Sequence, residues 1–123
     1  MKLALASCAM AFAACLATPS LAAGNADAGR ALYQSRCVAC HSPDRNGIGP
    51  AHRGVFGRAA GRAAGFAYSE ALKGSSLVWN DETLDRWLAD PEKTAPGQRM
   101  GVNVPDARER ADLIAYLKTL AAK

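Results

Sequence analysis

Cys37-Val38-Ala39-Cys40-His41 is the stretch that decides how this sequence is read. On a helical turn, positions three and four apart share a face, so both thiols and the imidazole can address one object. Several chemistries use such a set. A redox dithiol belongs beside a βαβ pattern, and no convincing alternating strand occurs in the chain. Zinc needs four converging ligands; Cys37, Cys40, His41 and His52 supply them on paper, but adjacent Cys40 and His41 converge poorly on one tetrahedral ion. A structural disulfide with a bystander histidine is the plain alternative. C-x-x-C-H is also the attachment signature of c-type haem, in which the cysteines form thioethers and the histidine binds iron. The haem reading fits the rest of the chain best.

The first residues bear on that choice. Residues 1–23 read MKLALASCAMAFAACLATPSLAA, with one early lysine, an apolar run, a Pro19 break and the small-residue site Ser20-Leu21-Ala22. These are the parts of a secretory signal peptide over 1–22, cut after Ala22, with a single domain over 23–123. A membrane span is the rival, but Thr18, Pro19 and Ser20 interrupt the run before the roughly 20 apolar residues that a bilayer requires. A lipoprotein leader ending at Cys15 is a second rival. Export to the periplasm removes Cys8 and Cys15 and leaves Cys37 and Cys40. Covalent linkage would then prevent loss of the cofactor outside the cell. The formal charge of +4 falls only by Lys2. That bias is too weak for nucleic acid, but it favours acidic protein partners if the positive charge is clustered.

With His41 on one side of an iron, the other side decides function: a second protein ligand makes an electron carrier, whereas an open position permits gas or peroxide chemistry. Loss of the leader takes Met1 and Met10, so Met100 is the one methionine left, and His52 is the only other histidine. Met100 lies in APGQRMGV (95–102), a turn-rich segment without periodicity to bury it. Thioether ligation explains a soft side chain there, and His/Met ligation raises the reduction potential. Ordinary packing is the alternative.

Along the domain, Asn25–Arg36 reads as a first helix, capped by Asn25 or Asp27, with Ala28, Ala31, Leu32 and Ser35 on one side. A glycine-bearing region follows from Ser42 to Phe66, of a length that in compact domains is usually functional. Tyr68–Lys73 suggests a short helix. Asn80–Asp90 suggests a better one, capped by Asn80, with Leu84, Trp87 and Leu88 on one face and Pro91 ending it. Asp106 and Glu109 form a capping-box-like start to a last helix striped by Leu113, Ile114, Leu117 and Leu120. The chain therefore reads as all-α with long loops.

In order along residues 24–122, CVACH, GIGPAHRGVFGR, GFAYSEAL, LVW, DPEKTAPGQRM and ERADLIAYLKTL resemble the blocks of the class I cytochromes c, the mitochondrial protein and its small soluble bacterial relatives. The resemblance implies three main helices, short helices and long loops wrapped around one covalently bound haem c. It implies thioethers at Cys37 and Cys40, iron ligands at His41 and Met100, and the Pro50 carbonyl as acceptor for the histidine's other N–H. Arg58, Tyr68 and Trp79 would surround the haem propionates. Gly29 and Tyr33 would pack against the last helix near Tyr116. Several positions depart from the family pattern. His52 and Arg53 stand where the family usually has leucine then histidine, and His52 reads as a surface histidine, with iron ligation as the alternative. Trp87, Leu72, Gln98 and Val102 replace a usual tyrosine, asparagine, threonine or serine, and phenylalanine. The implied function is a periplasmic, monomeric one-electron carrier, not an enzyme, docking briefly with larger redox proteins. A haem peroxidase or gas-binding protein with a labile methionine, and a subunit fixed to a dehydrogenase, are the competing readings.

Overall fold

The computed structural model describes residues 23–123, so the signal-peptide reading of 1–22 lies outside the described residues. Among the described residues five helices follow one another: α1 (Ala26–Arg36), α2 (Glu70–Lys73), α3 (Asp81–Ala89), α4 (Pro91–Thr94) and α5 (Ala107–Thr119). The all-α expectation is met: among the described residues the only extended pairing is an isolated bridge between Ala59 and Val78. None of their helices is long and apolar enough to cross a membrane.

Local chemistry sets most boundaries. The Asn25 side chain accepts from the Ala28 N–H and caps α1. Asn80 and Thr83 exchange side-chain-to-backbone bonds in a full capping box for α3; such a cap contributes about 1 kcal/mol. Asp106 accepts from the Glu109 N–H, but Glu109 does not return the bond. Its carboxylate instead forms a two-pronged pair with Arg36 at 2.7 and 2.9 Å, tying α5 to the end of α1. Pro91 ends α3 and also opens α4, because a proline at the first helical position lacks only an N–H that would have no helical partner.

The α1 face differs from the periodicity expectation. Ala28, Ala31 and Ser35 are exposed and Leu32 is partly buried; the buried pair is Gly29 and Tyr33. The reason is a close helix crossing. A Cβ placed on Gly29 would lie 1.8 Å from the carbonyl oxygen of Asp112, so only glycine lets α1 and α5 meet backbone to backbone. Tyr33 then packs on Tyr116, with ring centroids 5.1 Å apart. Asp112, buried on α5, accepts from the Asn25 N–H at 2.7 Å. Leu113, Ile114, Leu117 and Leu120 form the buried stripe of α5 and meet Tyr33, Leu84 and Trp87 in one core. Helices α1, α3 and α5 are thus the frame, and the long connections close around an interior cavity.

Candidate functional site

The 42–66 region is structured by turns, and these carry the motif histidine. Cys37 caps α1, and the Cys40 and His41 N–H groups both donate to the Cys37 carbonyl, so CVACH forms a tight turn at the helix end. The Gly49 N–H donates to the Cys40 carbonyl at 2.8 Å, and the His52 and Arg53 N–H groups donate to the carbonyls of Ser42 and Pro43. Asn46 accepts from the Ala51 N–H and donates to the Ala64 carbonyl, closing the loop on itself. The loop is therefore folded back against the motif.

His41 is confined by these turns. Its Nδ1 lies 2.9 Å from the Pro50 carbonyl oxygen. Carrying the proton there, Nδ1–H donates to Pro50, which leaves Nε2 with a free lone pair. Burial pushes the imidazole below its usual range, partly opposed by the Pro50 bond, so the ring stays neutral and able to ligate. Gly49 lies so close that a Cβ there would fall 2.2 Å from Cε1 of His41.

His52 is the main correction to the sequence reading. It is partly buried rather than a surface residue. Its ring stacks on His41, with centroids 4.1 Å apart and planes 21° apart. Its Nδ1 lies 2.9 Å from the Tyr33 hydroxyl. Burial first, then His41 and Arg58, hold it down at about 3, so it is neutral. Two imidazoles stacked face to face at 4.1 Å leave no space between them for an iron and the ring that carries it, which disfavours His52 as a partner of His41 on one iron.

An apolar cavity of about 230 Å³ opens beside this cluster. Cys37, Cys40, His41, Pro50, Arg58, Tyr68, Trp79 and Met100 all line it, so the candidate residues, spread over more than 60 positions of sequence, meet at one place. Both thiols are free, and burial pushes Cys37 up, with Arg36 opposing. Tyr68 is buried, and its hydroxyl accepts from the Ala63 N–H at 3.0 Å. Trp79 is buried against Trp87, with centroids 5.4 Å apart. Arg58 donates to the carbonyls of Arg53 and Ala51, while its Nε is buried without a partner. An unmatched guanidinium donor at an apolar cavity asks for an anion. Two free thiols, a neutral imidazole, a thioether and that donor fit a covalently held haem with its propionates.

Met100 reaches the cavity on a differently built loop. Gly97 takes φ of 90°, and the Gln98 N–H donates to the Ala95 carbonyl, forming a turn that needs glycine at its third position. Glu92 binds this turn with both oxygens, accepting from the Gly97 N–H at 2.9 Å and Gln98 Nε2 at 3.2 Å. Arg99 reaches across to the carbonyls of Ala67 and Tyr68 at 3.5 and 3.3 Å. The sequence does not mark this role for Glu92, because no periodicity flags a carboxylate that closes on a turn five residues later. Arg110 was missed too. It holds the exit of the loop through the Val104 and Pro105 carbonyls, while pairing with Asp85 at 2.6 Å.

Comparison with known proteins gives a consistent picture. The profile of the Cytochrome c family matches residues 26–121. The chain is similar to "Cytochrome c" of Euglena viridis, 43% identical over 100 residues, spanning 79% of this chain and 98% of that one. It is also similar to "Cytochrome c2" of Rhodopila globiformis, 42% identical over 95 residues, spanning 75% and 90% of the two chains. Among solved structures, cytochrome cH from Methylobacterium extorquens superposes with a TM-score of 0.75 at 46% identity, over 78% of this chain and 99% of that one.

Proposed function

The chain belongs to the cytochrome c family, and from that premise we propose that it is an exported His/Met carrier with iron ligands His41 and Met100. Family membership makes it a monohaem electron carrier, not an enzyme, with one covalent haem c and redox proteins as partners. When bound, that group supplies reversible one-electron cycling of its iron between ferric and ferrous. Cys37 and Cys40 would attach it, and Pro50 would orient His41 through the 2.9 Å bond. Arg58, with Tyr68 and Trp79 beside it, would meet the propionates. His41 and Met100 would hold that group through a neutral imidazole and a thioether, neither of which has to gain or lose a proton when the charge of the centre changes. No side chain is asked to move a proton.

The observation that carries this reading is the convergence of Cys37, Cys40, His41 and Met100 on one apolar cavity. The leader reading of residues 1–22 supports a periplasmic location, and the net positive charge supports brief docking to acidic surfaces by a monomer. A redox titration of the haem-loaded protein, repeated under carbon monoxide, tests it. The expected result is a one-electron curve that carbon monoxide leaves unchanged at neutral pH. Rapid carbon monoxide binding by the reduced protein would overturn the ligation and favour the gas-binding or peroxidase reading.

A further inference from the structure

Position 52 carries a histidine that the proposed attachment and ligation do not use, and the structure shows what it touches. Its ring covers His41 at 4.1 Å. Its Nδ1 is bonded to the Tyr33 hydroxyl at 2.9 Å, and Tyr33 is only 2% exposed, wedged between α1 and α5 against Tyr116. The sequence of contacts Tyr116–Tyr33–His52–His41 therefore runs from the helix crossing to the ligand histidine. Gly49 and Pro50 confine that histidine further, by close approach and by hydrogen bond. His52 is not needed to satisfy any backbone group by its side chain, so a leucine would fill the space with less polarity. The substitution changes both the polarity beside the iron ligand and the rigidity of its ring.

We propose that His52, anchored by Tyr33, is a positioning residue for His41 that also lowers the reduction potential of the centre. A polar ring in contact with the ligand favours the more highly charged ferric state, whereas an aliphatic one disfavours it; polarity around a metal ligand is a known lever on potential. The stack also restrains rotation of His41 about its bond to Pro50. The Tyr33 bond keeps the His52 ring in register, so its loss weakens both effects without removing the ring. This inference rests on the assignment of His41 as an iron ligand.

The test compares haem-loaded wild type, His52→Leu, His52→Gln and Tyr33→Phe by equilibrium redox titration, with ferric electron paramagnetic resonance on each. At a fixed applied potential, His52→Leu is expected to shift the ferrous-to-ferric ratio about tenfold toward ferrous, which is about 59 mV for one electron. Tyr33→Phe is expected to shift it in the same direction by about threefold, and His52→Gln, which keeps a polar partner for Tyr33, by less than about twofold. The ferric resonance should move in His52→Leu and stay in His52→Gln. A His52→Leu ratio within about twofold of wild type, a shift toward ferric, or equal shifts in the leucine and glutamine variants would overturn the inference. If His52→Leu fails to load haem, Tyr33→Phe decides: a shift toward ferrous supports the inference and an unmoved ratio overturns it. A wild-type spectrum without His/Met low-spin iron would instead overturn the proposed function, before any variant is compared.

Discussion

His41 and Met100 line the same cavity but are held there in different ways. His41 is fixed within residues 41–52 by partly buried contacts: the Pro50 carbonyl, the bare face of Gly49 and the ring of His52. Met100 is held indirectly, through an exposed Glu92 and an exposed Arg99 that tie down the residues before it. The comparison teaches that the two candidate ligands should differ in robustness. The histidine side is part of the folded frame, and the methionine side is a strap closed by solvent-accessible bonds. Such straps belong to the low-stability end of a protein and open first.

The largest effect should come from crowding the histidine. Gly49 has ordinary backbone angles, so a substitution acts by bulk alone. Gly49→Val drives a side chain into His41 and should cost about 3 kcal/mol, read from urea unfolding of the haem-loaded protein. A cost below about 1 kcal/mol would break the comparison, because the histidine side would then be as yielding as the strap.

Next in size is Met100→Ala. Met100 is only partly buried at the edge of the core, so about 2 kcal/mol is expected. The reduced variant should gain rapid carbon monoxide binding while keeping its haem. Loss of haem with Met100→Ala would show that the strap carries as much of the structure as the histidine side.

Much of this was legible in the sequence because the signals are local. Asn25, Asn80 and Asp106 announce helix starts by their own side chains. The leucine stripe of α5 follows a period of 3.6 residues, and CVACH is contiguous. The buried face of α1 was not legible from periodicity, since its centre is Gly29, a residue with no hydrophobic side chain to register. Resemblance to a family supplied that contact where pattern did not. His52 was misread for a related reason: a histidine on a glycine-rich loop carries no mark of burial until Tyr33, 19 residues earlier, is placed beside it. Glu92 was opaque because its partners lie across a turn whose closure only the folded backbone reveals.

Glu92→Ala sharpens the comparison at smaller scale. Two bonds to an exposed carboxylate should be worth about 1 kcal/mol in closing the strap. Amide exchange at Gly97 and Gln98 should accelerate roughly fivefold, with exchange near Gly49 and His52 unchanged. Acceleration on both sides would mean that the two regions open together.

The smallest effect should be on the rim of the histidine side, where exposed Asp44 pairs with Arg53. The Arg53 hydrogen bond holds this carboxyl down to about 2. A depressed carboxylate contributes stability above its ordinary range and loses it as pH falls through the folded value. Wild type and Asp44→Asn should therefore differ slightly in urea midpoint at neutral pH and converge as pH approaches 2. Failure to converge would show that Asp44 acts through something other than its charge.

The central claim is that one covalent haem sits between a rigid His41 and a strapped Met100. The visible absorption spectrum of the ferric and ferrous protein tests it most directly, taken on wild type and on Met100→Ala. The expected result is a haem c spectrum whose ferric form carries a methionine–iron charge-transfer band, lost in the variant. A wild-type protein without haem bands, or one whose charge-transfer band survives in Met100→Ala, would contradict the account.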